Sequence, residues 1–291
     1  MNVFVVGLGL IGGSMALDIK SKNMNAIVFG IDKNKEHLKQ AIDLKLIDKI
    51  AEFNDISEAD VVILSVPVDS TYELLPKILN RISEKTLVFD VGSTKSIICQ
   101  SITNHPKRSN YLATHPIAGT EFSGPSAAFL GLFNCKTNII CEAKKTGSYF
   151  LEKAKQLFEQ MGMNLIYMEP DAHDKHIAYC SHLSHICSFM LGKTVIEKEK
   201  DEKGIFDMAG SGFASTVRLA KSSPAMWTPI FMQNKENVID SLDEFIKNLI
   251  QFKDALIEED QEGIFNEMNG VNRIKEILYG IDQVQVKRVT L

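Results

Sequence analysis

Three segments of the chain carry side chains able to accept protons or hold charge. Thr114-His115-Pro116-Ile117-Ala118-Gly119-Thr120-Glu121 places a histidine where an apolar run ends, fixed by the following proline and opened by a nearby glycine. An imidazole titrates near neutral pH and is suited to take a hydroxyl proton, although a single histidine can equally be a structural residue. Ser181-His182-Leu183-Ser184-His185 puts two histidines three apart, on one face of a helix. With His173 and His176 nearby, these could mean a metal pair, a hydrogen-bonding wall to a substrate pocket, or core histidines. No cysteine–histidine spacing or H-E-x-x-H pattern accompanies them, so no metal is expected. Arg218 follows the Gly210-Ser211-Gly212 turn and precedes the only tryptophan, Trp227. Its guanidinium could grip a carboxylate bidentately or form a surface ion pair.

The elements that must position these groups begin at the N-terminus. Val3-Phe4-Val5-Val6 breaks into Gly7-Leu8-Gly9-Leu10-Ile11-Gly12 and continues as an apolar-periodic stretch, which predicts strand, tight turn and helix. Gly7 would reverse the chain, Gly9 would let backbone approach a pyrophosphate, and Gly12 would allow close helix–strand packing. A second strand, Ala26–Ile31, ends in Asp32, whose carboxylate can bond an adenosine ribose and would repel a 2′-phosphate. The expected cofactor is NAD. A hydride taken from an alcohol by NAD needs a base for the hydroxyl proton, which gives His115 a task.

Strands and helices then alternate. Val61–Leu64 runs into Ser65-Val66-Pro67, Leu87–Phe89 ends in Asp90, and Tyr111–Ala113 stops at Thr114-His115-Pro116, with helices near 35–44, 70–82 and 95–103. Two more strands, 138–141 and 164–168, flank a helix near 148–161. This pattern predicts an α/β doubly wound Rossmann domain over 1–169, with ligands at the carboxyl ends of its strands, where Ser65, Ser93 and His115 fall. From 170 to 291 the expectation is an all-helical domain. Its last long helix, beginning near Pro229, carries Val238, Leu242, Phe245, Leu249, Phe252 and Leu256 in alternating steps of four and three. That seam could pack within its own domain or serve a subunit interface; the latter is favoured because so small a domain supports a limited core. The 281–291 tail is uninformative.

Composition narrows the class. The chain has 291 residues, 45% hydrophobic, and a formal net charge of -5 without a long basic run, which argues against nucleic acid as a partner. The apolar N-terminus lacks a basic n-region, and no apolar run is long enough for a membrane span. Five cysteines without C-x-x-C spacing read as free thiols in a reducing cytosol, so a cytoplasmic location is expected.

Taken in order, the fingerprint, Asp90-x-Gly92-Ser93-x-Lys95, His115-Pro116-Ile117-Ala118-Gly119-Thr120-Glu121, Ser181-His182-Leu183-x-His185 and Arg218 with Ala220-Lys221-Ser222-x-Pro224-x-Met226-Trp227 closely resemble the prephenate/arogenate dehydrogenase family of tyrosine biosynthesis. The resemblance implies a Rossmann domain followed by a helical domain through which two subunits dimerise, with active sites between the domains. It implies NAD-dependent oxidative decarboxylation of prephenate. His115 would accept or polarise the hydroxyl proton, with Ser93 bonding the same oxygen. Arg218 would hold the ring carboxylate and His185 the pyruvyl side chain. Thr120 and Trp227 would shape the pocket, His182 would support it, and Glu121 could favour a substrate amine. Expected cofactor contacts are Gly7, Gly9, Leu10, Ile11, Gly12, Asp32, Ser65, Val66 and Pro67.

The loop between Ser93 and His115 is slightly longer than the family pattern, and Ala214-Ser215-Thr216 stand where charged residues are common. No segment after Tyr279 suits an ACT-type regulatory domain, so tyrosine inhibition is expected at the active site. Alternatives are the same chemistry on arogenate or on both substrates, a β-hydroxyacid dehydrogenase relying on a helix-borne lysine, and a non-catalytic dinucleotide-sensing dimer. If His115 must be neutral to act, turnover should rise with pH through an ionisation near about 6.5.

Overall fold

The computed structural model describes residues 1–22 and 25–279; the 281–291 tail lies outside them. Eight strands form one sheet: β1 (Asn2–Val6), β2 (Ile27–Ile31), β3 (Lys49–Ile50), β4 (Val61–Leu64), β5 (Leu87–Asp90), β6 (Tyr111–Pro116), β7 (Thr137–Cys141) and β8 (Asn164–Met168). Their order is β3-β2-β1-β4-β5-β6-β7-β8, and all pairings are parallel except β6 with β7. Helices α1 (Leu10–Ser21), α2 (Lys35–Asp43), α3 (Val68–Arg81), α4 (Ser96–Ser101) and α5 (Ser148–Gln160) connect the strands.

Both faces of a parallel sheet must be covered, so its strands are continuously apolar and successive side chains enter different cores. Val3, Val5, Ile63 and Phe89 pack with Met15, Ile19 and Phe158 on one face. Phe4, Val62, Leu64 and Val88 pack with Leu75, Ile78, Leu79 and Ile98 on the other. Strand order reverses at β1, which has β2 on one side and β4 on the other, and the turns after β1 and β4 therefore frame a ligand-binding crevice.

After β8 the chain is helical: α6 (Pro170–Ile177), a π-helical turn (Ala178–His182), α7 (Leu183–Asp201), α8 (Ser211–Val217), α9 (Pro224–Gln233), α10 (Lys235–Ile257) and α11 (Gln261–Val271). The long helix starts at Lys235, not near Pro229. Pro224 supplies the favoured first helical position of α9, Pro229 lies within that helix, and Asn234 breaks the chain before α10.

The chain divides into two compact units, Met1–Lys235 and Glu236–Leu291. The first holds the whole sheet and the helices through α9. Within the second, the seam positions Leu249 and Leu256 are 53% and 55% exposed. Among the described residues no helix is long and apolar enough to cross a membrane.

Candidate active site

The crevice at the strand-order reversal is shaped by missing side chains. Gly7 has φ +95°, and a Cβ there would meet the Ser65 carbonyl oxygen at 2.3 Å; a Cβ on Gly12 would meet the Gly7 carbonyl oxygen at 2.1 Å. These two glycines lock the turns after β1 and β4 together. A Cβ on Gly9, in contrast, would find no heavy atom within 4 Å. Gly9 caps α1 and provides no side-chain hydrogen bond, so the first-turn N–H groups around Leu10, Ile11 and Gly12 face a space where backbone can approach a phosphate. The residues fit a bound dinucleotide. Ser65 and Val66, both partly buried, and the exposed Pro67 form the opposite turn between β4 and α3.

Asp32 lies just past β2. One carboxylate oxygen accepts from Leu8 N–H at 2.9 Å and the other from Asn34 N–H at 2.8 Å, with His37 Nδ1 at 3.5 Å. It therefore ties the glycine turn to β2 while keeping acceptor capacity for a ribose. Asp32→Ser is expected to narrow the NAD-over-NADP ratio of kcat/KM by one to two orders of magnitude, roughly 1.4–2.8 kcal/mol. An unchanged ratio would remove Asp32 from cofactor selection. Because the ratio compares two cofactors on one variant, a loosened turn does not mimic the effect.

His115 is the penultimate residue of β6, paired across the ladder with Ile139, and is 9% exposed. Its Nδ1 lies 2.8 Å from His173 Nε2, and His173 Nδ1 lies 2.7 Å from an Asp174 carboxylate oxygen. Asp174 also accepts from the backbone N–H groups of Lys95 at 2.8 Å and Ser96 at 2.9 Å. Burial pushes the Asp174 carboxyl upward, but these bonds, that from His173 foremost, outweigh it and hold Asp174 below the usual carboxylate range.

Lys95, wholly buried, pairs with the equally buried Asp90. Asp90 in turn accepts from Tyr111 Oη–H at 2.6 Å and from Gly92 N–H at 2.9 Å, while Thr114 Oγ1–H donates to its backbone carbonyl. The Asp90–Lys95 motif thus braces the β5 loop against β6 beside His115. Ser93 is half-exposed in this loop, and its neighbour Thr94 is anchored through its hydroxyl to Gln233 Oε1 at 2.7 Å.

Burial, His173, Lys95 and His182 together hold His115 well below the ordinary histidine range. The expected ionisation therefore moves below 6.5. A base must be neutral to accept a proton, so a lowered pKa extends the active plateau toward acid. The acid limb of kcat/KM is expected below pH 6.5, and a half-maximal point above that value in a pH series would contradict the assignment.

The π-helical turn sets the remaining histidines. Leu183 N–H bonds back to the Ala178 carbonyl, five residues earlier. In an unbroken α-helix, at about 100° per residue, His182 would lie on the side opposite His173; the wider turn brings it round. His182 is fully buried, with Nδ1 3.2 Å from Asn234 Nδ2, and burial lowers its pKa to about 4. An amide NH₂ can only donate, so the neutral ring carries its proton on Nε2, which is buried without a protein partner. Asn234 also donates to the Asp174 carbonyl at 2.6 Å.

His185 lies against Trp227, with ring centroids 3.6 Å apart and planes at 30°, and its Nδ1 donates to the Ser181 carbonyl at 3.0 Å. Burial lowers its pKa, with a smaller contribution in the same direction from Arg218. Arg218 is exposed, its Nη1 3.6 Å from a Glu121 carboxylate oxygen. Thr120 is exposed in the same loop as Glu121.

The structure therefore gathers His115, His182, His185 and Trp227 with Arg218 and Glu121 around them. It adds three groups that had no assigned role in the sequence: His173, Asp174 and Lys95. The visible signal was the His173-Asp174 dipeptide, but neither its helix face nor its distance from His115 could be read locally. His176 is exposed and stands apart from the His115–His173–Asp174 chain.

Known proteins resemble the chain over both halves of its length. The family model described as "Prephenate dehydrogenase, nucleotide-binding domain" matches residues 15–167, and "Prephenate dehydrogenase, dimerization domain" matches 169–270. The prephenate dehydrogenase of Bacillus subtilis is 33% identical over 268 residues, covering 91% of this chain and 72% of that protein. The cyclohexadienyl dehydrogenase of Zymomonas mobilis is 27% identical over 262 residues, 89% of each chain. The Aquifex aeolicus prephenate dehydrogenase, solved with hydroxyphenyl propionate and NAD+, superposes with a TM-score of 0.89 at 33% identity, covering 96% of this chain and 98% of that one. With both halves of its length matched by the family's two models, this chain belongs to the prephenate dehydrogenase family.

Proposed function

We propose that the chain catalyses the NAD-dependent oxidative decarboxylation of prephenate to 4-hydroxyphenylpyruvate in tyrosine biosynthesis. The observation that carries the reading is a buried, neutral His115 at a strand end of the dinucleotide-binding sheet, linked to a buried carboxylate through His173. NAD, when bound by the Gly7–Gly12 turn, Asp32 and the Ser65–Pro67 turn, supplies the acceptor for hydride from the hydroxyl-bearing ring carbon. His115 takes the hydroxyl proton as that carbon becomes a carbonyl, and Ser93 bonds the same oxygen. Loss of carbon dioxide from the opposite carbon then makes the ring a phenolate, to which His115 returns the proton. No proton need leave the site.

Arg218 holds the ring carboxylate; its contact with Glu121 leaves other guanidinium N–H groups free to donate. His185 has its Nδ1 proton committed to Ser181, so it can donate to the pyruvyl group from Nε2 only as imidazolium, a form that the pyruvyl carboxylate favours. Thr120 and Trp227 shape the pocket, and His182 supports it. The active protein is a cytoplasmic homodimer with its domain boundary at 169/170, supported by the meeting of the two family models at 167 and 169 and by the exposed seam residues Leu249 and Leu256 on α10. L-Tyrosine, which shares the para-oxygenated ring and has an amine for Glu121, competes at the same site.

Steady-state kcat/KM for prephenate and arogenate with NAD and NADP tests the reading. Prephenate with NAD is expected to be the best pair. Preference for arogenate would transfer the same chemistry to the amino-acid substrate, and inactivity on both would defeat the proposal.

A further inference from the structure

We propose that His173 and Asp174 are positioning residues for the reaction assigned above: they hold His115 with its own proton on Nδ1, leaving Nε2 as the atom that takes and returns the substrate proton. The argument starts at the carboxylate. Backbone N–H groups can only donate, so Lys95 and Ser96 fix both Asp174 oxygens as acceptors. A carboxylate oxygen 2.7 Å from His173 Nδ1 then requires the proton on Nδ1. With that single proton on Nδ1, the His173 ring keeps a lone pair on Nε2. His115 Nδ1, 2.8 Å away, must donate to it, and the remaining lone pair of His115 lies on Nε2. The chain of bonds has one direction. Protonation of His173 would reverse it, placing the His115 proton on Nε2 and abolishing the base.

The same chain stabilises the charge made in the reaction. Once His115 carries a second proton it is a buried cation. The charged and titratable groups facing it are His173 and Asp174 from α6, Lys95 from the β5–α4 loop with its partner Asp90, and His182 from the π-helical turn. Asp90 is committed to Lys95, and His182 is neutral. Asp174, reached through His173, is therefore the anion available to offset the imidazolium, and the proton returns to the substrate oxygen rather than moving down the chain.

Three variants and one spectrum test this. His173→Leu removes the acceptor and is expected to lower kcat by roughly tenfold to a hundredfold, with KM for prephenate within about twofold. His173→Gln can place its amide oxygen where Nε2 stood and should restore most of the loss. Asp174→Asn turns a donor toward either a backbone N–H or His173, favouring the reversed tautomer, and should lower kcat to a similar extent. Protein labelled with ¹⁵N-histidine, without substrate, should show His115 protonated on Nδ1 and bare on Nε2, with the pattern reversed in Asp174→Asn. A His115 Nε2–H in the wild type, undiminished kcat in folded His173→Leu, or a glutamine variant no better than leucine would overturn the proposal. Wild-type protein with the expected tautomer but no turnover of prephenate would overturn the assigned reaction and leave the tautomer standing.

Discussion

His115→Asn is expected to lower kcat by about 10²–10⁴-fold while prephenate and NAD dissociation constants stay within about threefold, the pattern for loss of a positioned base. Asparagine suits the test because its side-chain NH₂ can stand where Nδ1 stood and still donate to His173. The bond that packs the β6 end against α6 therefore survives, and only the Nε2 lone pair is lost. A large fall in kcat with a normal thermal transition assigns proton transfer to Nε2. A variant that turns over normally, or one that loses substrate affinity instead of kcat, would move the proton acceptor elsewhere.

Arg218→Ala should weaken prephenate binding by roughly 10²-fold or more, with a smaller effect on kcat, because a charge-assisted pair with a carboxylate contributes a few kcal/mol in the ground state. The carboxylate it holds leaves as carbon dioxide, so tighter binding in the transition state is not its task. NAD affinity should hardly change, because the ion pair of the Arg218 side chain is with Glu121 and not with a residue of the Gly7–Gly12 turn. Lysine should rescue in part, retaining charge and losing the fork. Equilibrium binding that shows intact prephenate affinity but damaged NAD affinity would defeat the placement of the ring carboxylate.

Much of this site was legible in the chain because its cues are local. Gly7, Gly9 and Gly12 sit between a β-branched strand and an apolar helix, and both the close packing of Gly7 and Gly12 and the open space at Gly9 follow from that context. The strand ends at Ser65, Asp90 and His115 were readable for the same reason. β3 escaped because two residues leave no period to detect. The α9–α10 break at Asn234 was hidden because Pro229 offered a plausible start, while the actual signal was Pro224 at the head of a separate helix.

The proton-holding chain depends on separation and rotation. His173 lies 58 residues from His115, and its relation to His182 depends on a π-helical turn that no periodicity announces. Four histidines in a short stretch raised metal ligation as one reading, whereas His173 serves His115, His182 bonds Asn234 and His185 stacks on Trp227. Lys95 is the sharpest case. Lysine is ordinarily a surface residue, yet here it is wholly buried against Asp90 and lowers the His115 pKa.

Product stoichiometry tests the central claim most directly. Purified protein given prephenate and NAD should form NADH, carbon dioxide and 4-hydroxyphenylpyruvate in equal amounts, and any acidification should be accounted for by hydration of the carbon dioxide to bicarbonate. NADH without matching carbon dioxide, or carbon dioxide released without NADH, would contradict an oxidative decarboxylation carried out at this site.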